Sequence, residues 1–180
     1  MYITIWAILF LGIVVFFSIY IHKTYSEVLY IKSDIDGKVY MIRRGNNKSE
    51  LFLKESANTL AEINTRIQKL IKELETRYKN DPTKIYFIKK LRQNYNPYMI
   101  SEAAIDNRYT SYTVDKEDIN MCLRTRDKYE KVYDINILMY VVLHELAHLC
   151  NYSPIGDAIE GHGNEFKNIF KTLVKTAIDA

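Results

Sequence analysis

The stretch VVLHELAHLC, residues 141–150, decides how the rest of the chain is interpreted. It places His144 and His148 four residues apart, with Glu145 directly after the first histidine. The preceding residues, INILMYVVL at 135–143, are mostly apolar and favour a buried helix. Residues four apart lie on the same face of an α-helix, so the two imidazoles are expected to point in the same direction.

Two imidazoles in this arrangement are typical of a zinc site, because Zn²⁺ accepts neutral histidine nitrogen at about 2.0–2.1 Å. Glu145 lies beside the ligand face, where a carboxylate reaches a water molecule on the metal and accepts its proton. The alternative is a pair of core histidines bonded to backbone carbonyls. With only four histidines in the chain, the HExxH pattern favours a zinc endopeptidase with Glu145 as catalytic base.

A third metal ligand is predicted at His162, in EGHGNEF at 160–166, where Gly161 and Gly163 allow the backbone to bend. Three carboxylates remain alternatives for this position. They are Asp157, Glu160 and Glu165. His22 adjoins the apolar N-terminal segment and is expected to be interfacial, whereas Cys150 falls on the wrong side of the helix for the same ion.

The pattern along the chain predicts an α+β fold. Two strands are expected around the turn-forming pair Asp36-Gly37, and two more around DKED at 115–118. Asn47, with Glu50 three residues later, predicts the start of a long amphipathic helix. The expected elements are a hairpin at 28–44, helices at 48–79, within 83–95, from 135 and at 163–178, and strands within 109–126.

The N-terminal segment, residues 2–21, is 20 residues without a charge. As a helix it spans about 30 Å, which predicts a transmembrane anchor rather than a cleaved signal peptide or a buried helix. Basic residues follow the segment, so the C-terminal part is expected on the cytoplasmic side of the membrane. The presence of only two cysteines agrees with a reducing compartment. The predicted division is an anchor at 1–22, a hairpin linker at 23–47 and a domain at 48–180.

A basic segment lies at residues 66–92, where nine lysines and arginines face three acidic residues. Such an excess is typical of nucleic-acid or anionic-lipid contact, but also of a solvated helix face. Because no base-reading motif accompanies the charge, the solvated face is favoured. Nucleic acid remains a possible partner.

At HELAH and GHGNEF the chain resembles the WLM and SprT-like (Spartan-related) zinc metallopeptidases, and in particular WLM-domain proteins of large DNA viruses. The resemblance implies a minimal zincin-like domain, with an active-site helix, supporting helices and a small antiparallel sheet. It also implies Zn²⁺ held by His144, His148 and His162, with Phe166 packing the closing helix. Strand 119–124 would be the edge strand that holds an extended substrate.

Three functions follow from these observations. The first is a membrane-anchored zinc endopeptidase that acts on protein substrates. The second is a protease associated with nucleic acid, of the kind that cleaves DNA–protein crosslinks. The third is a non-catalytic module in which zinc stabilises the fold. A general base beside only three protein ligands favours the first.

Overall fold

The computed structural model describes the backbone of residues 2–25, 28–45, 49–102, 111–114, 117–153 and 155–179. Side chains at 2–4, 7, 22–25 and 112–114 lie outside this description. Within the described part the chain forms five helices and five short strands, so the α+β class is confirmed. In chain order they are α1 (Tyr2–Tyr25), β1 (Val28–Lys32), β2 (Val39–Arg43), α2 (Glu50–Arg77), α3 (Ile85–Asn94), β3 (Ile100–Glu102), β4 (Ser111–Val114), β5 (Asp118–Met121), α4 (Ile135–Leu149) and α5 (Asn164–Asp179).

The first two strands form the predicted antiparallel hairpin, in which Val28 pairs with Arg43 and Lys32 with Val39. Gly37 has a φ of 70°, a conformation that glycine adopts without steric cost. On β2, Tyr40 and Ile42 are buried in the same apolar core as α2. The predicted boundary at 47/48 stays a prediction, since residues 46–48 lie outside the described part.

Helix α2 is the central element, since it contacts β1, β2, β3, α3, α4 and α5. Its buried positions recur every three or four residues, as in Leu53, Ala57, Leu60 and Ile67. The N-cap is Ser49, whose hydroxyl accepts a hydrogen bond from the Phe52 amide at 3.3 Å. The predicted cap was Asn47, which lies outside the described residues.

The second sheet has the strand order β3-β5-β4, with β3 parallel and β4 antiparallel to β5. The prediction that 119–124 is an edge strand is wrong, because β5 lies at the centre of this sheet. The sequence pattern does not reveal β3, which forms the outer strand on one side of β5. This strand has only three residues, Ile100–Glu102, and its partner is remote in sequence. A strand this short carries almost no periodic signal.

The last two helices pack on α2. Asp134 caps α4 by accepting a hydrogen bond from the Asn136 amide at 2.9 Å. The buried face of α4 includes Val142 and Leu146, and that of α5 includes Phe166. Because α4 and α5 contact each other as well as α2, the histidine-bearing helix is fixed on two sides.

Four charged residues are buried where the hairpin meets the second sheet: Arg43, Glu102, Arg124 and Glu130. The Arg124 guanidinium donates to both Glu102 carboxylate oxygens, at 2.6 and 2.8 Å. The Arg43 amide also donates to Glu102, at 3.0 Å, and its guanidinium lies 3.6 Å from Glu130. Gly45 lies so close that a Cβ there would be 2.1 Å from a Glu130 carboxylate oxygen.

The predicted membrane anchor is not borne out. In the part of the chain that the structure describes, no helix combines the length and apolar character required to cross a bilayer. The anchor at 2–21 and the single-pass membrane localisation are therefore wrong on this finding. The prediction rested on the lack of charge in this segment, which alone does not establish a membrane span.

Candidate metal centre

Helix α4 presents two histidines on one face, as their four-residue spacing requires. The Nε2 atoms of His144 and His148 are 3.3 Å apart, and both side chains are half-buried. The flanking residues Leu143 and Ala147 are buried in the core. The core packing therefore holds the helix that orients both rings.

A loop returns the chain to this face and delivers His162. Buried Asn151 is bonded to Ile159 twice: its backbone oxygen accepts from the Ile159 amide, and its side-chain amide donates to the Ile159 oxygen, both at 3.0 Å. Gly161 then turns the backbone with a φ of 75°. The Nε2 atom of His162 lies 3.1 Å from those of both His144 and His148.

The three nitrogen atoms fit the spacing that a small cation demands. Tetrahedral bonds of about 2.0–2.1 Å place neighbouring ligand atoms about 3.3–3.4 Å apart, and the observed separations are 3.1–3.3 Å. Each Nε2 carries either one proton or one lone pair, so three such atoms cannot all be satisfied by hydrogen bonds with one another. Burial lowers the pKa of His144, which favours the neutral ring that binds metal.

Phe166 forms the inner wall of the cluster. Its buried ring lies 5.0, 4.4 and 4.7 Å, between centroids, from His144, His148 and His162. Phe170 packs on Phe166 and on His144, at 5.9 and 5.6 Å. This side therefore supplies packing but no fourth donor, and the open side is that of exposed His162.

The other predicted donors lie elsewhere. Among the described residues, the group able to hold one ion consists of the three histidines. Asp157 and Glu160 are exposed, and Glu165 lines a separate cleft behind the loop. Cys150 is buried with its thiol directed at the Leu146 oxygen, 3.1 Å away. The side chain of His22 lies outside the described residues.

Glu145 follows His144 on α4 and is 6% exposed. Its negative charge raises the pKa of His144, against the larger opposite effect of burial. The position therefore places an acidic side chain next to the cluster without adding a fourth ligand to it.

The basic segment at 66–92 is partly neutralised by ion pairs. Arg66 lies 2.7 Å from Glu62, and Arg77 lies 3.0 Å from Glu73 and 2.7 Å from Asp179. Such pairs are typical of a solvated helix face. Nucleic acid therefore stays a possible but unfavoured partner.

Sequence comparisons identify the family. A family model described as Phycodnaviridae minor capsid protein P4 matches residues 47–180. The chain belongs to this family. An uncharacterized protein of Acanthamoeba polyphaga mimivirus, R325, is 37% identical over 99% of this chain and 85% of its own length.

Shorter matches come from two iridescent viruses. Protein 136R of Invertebrate iridescent virus 6 is 32% identical over 46% of this chain and 43% of its own length. Protein 042R of Invertebrate iridescent virus 3 is 44% identical over 38% of each chain. Both are described as uncharacterized. No solved structure matches the chain.

These findings overturn the peptidase prediction. The chain belongs to the minor capsid protein P4 family and not to the WLM or SprT-like peptidases. The membrane-anchored endopeptidase and the crosslink-cleaving protease are therefore both wrong. The physical reason is that HExxH specifies two imidazoles and a carboxylate on a helix, which is a geometry for metal binding and not by itself a reaction.

Proposed function

We propose that this protein is a structural component of a virus particle, of the minor capsid class, and that a metal ion stabilises its C-terminal part. The match to the minor capsid protein family over 47–180 carries the first half of the proposal. The convergence of three imidazole nitrogens within 3.1–3.3 Å of one another supports the second half. Its partners would be other proteins of the particle.

Zn²⁺ is the ion that best suits three neutral imidazoles, which also rank among the ligands of other transition metals. His144 and His148 would hold it from α4, and His162 from the segment before α5. When bound, the ion supplies a positive charge on which the three lone pairs converge. It would join α4 to a loop whose two ends are linked by the hydrogen bonds between Asn151 and Ile159.

Glu145 would serve this site through its charge. A cation with three neutral ligands keeps its full positive charge, and a buried carboxylate nearby lowers the free energy of placing that charge there. The side chain is 6% exposed, so the screening by solvent that weakens surface pairs is reduced.

The finer fold that we propose is zincin-like in the geometric sense. Two ligands on one helix, a third on the segment that follows, and a supporting helix, here α2, are the features of such domains. The order α4, loop and α5, together with the contacts of α2 with both helices, supports this assignment. It carries no claim of hydrolysis.

Helix α1 is the element best suited to contact with a neighbouring protein. Among its described side chains, between residues 5 and 21, it exposes large apolar ones such as Ile8 at 70%, Phe10 at 69% and Phe16 at 66%. Contiguous apolar surface on this scale marks an interaction site. In a protein of the particle, the surface would be covered by another structural protein.

The experiment for the structural role is quantitative mass spectrometry of purified particles of the virus that encodes the chain. We expect the protein at a fixed ratio to the major shell protein, unchanged by nuclease treatment and by washing with 0.5 M salt. A protein that is abundant in infected cells but absent from washed particles would contradict the proposal.

A further inference from the structure

A second cleft, separate from the histidine cluster, opens between the C-terminal end of α2, the start of α3, the 152–159 loop and α5. Its volume is about 810 Å³, within the range typical of binding sites. Three lysines from two different parts of the chain line it. They are Lys84, Lys171 and Lys175.

The two α5 lysines of the cleft differ from Lys84 in their ion pairing. Lys84 is paired with Asp81. Lys171 and Lys175 are exposed and lie one helical turn apart, and in the described part of the chain neither forms an ion pair with a carboxylate. Glu165 is the single acidic residue among those lining the cleft. Two lysines therefore lie one turn apart on α5, at the edge of a concave surface.

The remaining wall is a mixture of apolar surface and short polar side chains. Phe87 and Ile169 are buried at the base, and Tyr86 and Tyr152 are half-buried beside them. Other polar atoms come from the side chains of Thr83, Asn168 and Thr172. This combination suits a ligand that brings negative charge, apolar side chains and backbone hydrogen-bonding groups together.

We propose that this cleft docks a short acidic segment of a neighbouring protein. Carboxylates of the segment pair with Lys171 and Lys175, and an aliphatic or aromatic side chain between them packs on Tyr86 and Tyr152. The hydroxyl and amide groups of Thr172 and Asn168 face the segment's backbone. The neighbour is a protein of the particle only if the proposed function holds, whereas the binding itself does not depend on it.

Charge and shape favour a peptide over a nucleic acid. Glu165 in the lining can accept hydrogen bonds from peptide amide groups, which a phosphodiester backbone does not offer. Arg66 and Arg77 of the basic segment are already paired with carboxylates and do not add to the cations of the cleft. A nucleic-acid strand requires positive charge along the path of its backbone, whereas a peptide of a few residues fits within the cleft.

The test uses the full chain and a fluorescein-labelled peptide of alternating glutamate and leucine, with binding followed by fluorescence anisotropy at low salt. The variant is Lys171→Gln with Lys175→Gln. The matched control is Lys128→Gln with Lys131→Gln, which removes the same charge from exposed positions outside the cleft. The variant loses the two proposed pairs between lysines and peptide carboxylates. The Kd of the peptide is therefore expected to rise at least about fivefold in the variant and to stay unchanged in the control.

Further arms separate the possible ligands. The same peptide with glutamine in place of glutamate is expected to bind much more weakly, and labelled oligothymidylate of equal length weakly in all variants. The proposal would be overturned if the acidic peptide did not bind, or if its affinity fell equally in both double variants. It would also be overturned if oligothymidylate bound more tightly than the peptide and lost that binding in the Lys171/Lys175 variant. None of these results alters the recovery of the protein from particles, so failure of the cleft and failure of the structural role are distinguishable.

Discussion

The cluster of three histidines and the cluster of four buried charges, Arg43, Glu102, Arg124 and Glu130, differ in how their charges are balanced. Two arginines and two glutamates meet at the junction of the hairpin and the second sheet, and their formal charges sum to zero. Burial raises the pKa of Glu102, and the Arg124 guanidinium opposes that shift. The three histidines instead bring together ring nitrogens that could hold one metal ion.

The four buried charges therefore neutralise one another, whereas the three histidines are arranged to bind a cation. Buried charges are tolerated where each has a partner, as Arg124 has in Glu102 at 2.6 Å. The three imidazole Nε2 atoms instead converge at 3.1–3.3 Å, close to the separation of ligand atoms around one small cation. The first cluster should therefore govern stability irrespective of metal, and the second only when metal is present.

The largest effect is expected from Arg124→Met, which leaves Glu102 buried without its main partner. We expect a loss of about 3–5 kcal/mol in the free energy of unfolding, measured by urea denaturation with and without zinc. Arg126→Met, at an exposed neighbouring position, is the control and should change stability by less than about 0.5 kcal/mol. A loss that appears only with zinc would mean that the two clusters are not independent.

Metal removal should have the next largest effect. At zinc concentrations about 100 times the Kd, binding stabilises the native state by about 2.7 kcal/mol. A chelator is therefore expected to lower the Tm of the wild-type protein by several degrees and to leave that of His162→Ala unchanged. The measurement is differential scanning fluorimetry with zinc and with chelator; equal shifts in the two proteins would contradict the assignment of His162.

Asn151→Ala tests how the loop delivers the third histidine. The substitution removes the side-chain bond to the Ile159 oxygen, and a lost buried hydrogen bond of this kind costs about 1–2 kcal/mol. Because the loop positions His162 and no ligand is changed, we expect zinc to bind about tenfold more weakly with unchanged stoichiometry, as seen by competition with a chromogenic chelator. Unchanged affinity would show that the loop is held by other contacts.

Glu145→Gln is expected to weaken zinc binding no more than Asn151→Ala does. The amide keeps the size of the side chain but removes its charge, and loss of a group that supports metal ligands typically weakens binding about tenfold or more. We expect a fall in zinc affinity at this lower end, with one ion still bound per chain. A complete loss of zinc would make Glu145 a ligand, whereas no change would remove its electrostatic role.

The sequence predicted the elements that carry a strong local signal. The hairpin around Asp36-Gly37, the amphipathic α2 and the Asp134-capped α4 could all be predicted because the turn pair, the periodicity and the cap each lie within a few residues. The proximity of His162 to the histidines of α4 could be predicted for a different reason. Few residue types bind zinc, and few copies of them occur in this chain.

What the sequence could not indicate depends on contacts between remote residues. Arg43 and Glu102 are 59 positions apart, and neither lies in a motif, so nothing marked them as partners. Strand β3 pairs with β5 through residues that are also remote in sequence, as in the pair Ile100 and Ile119. No local pattern marks these residues as partners. The prediction of peptidase activity was wrong for another reason. The spacing of HExxH indicates where an ion can be held, but it does not specify hydrolysis.

The most direct test of the metal centre is the zinc content of the purified protein after dialysis against metal-free buffer, measured by inductively coupled plasma mass spectrometry. We predict one zinc per wild-type chain and less than about a tenth of that in His148→Ala, with circular dichroism showing that both are folded. A wild-type chain that binds no zinc, nickel or cobalt under these conditions, or a His148→Ala chain that retains one full equivalent, would contradict the account.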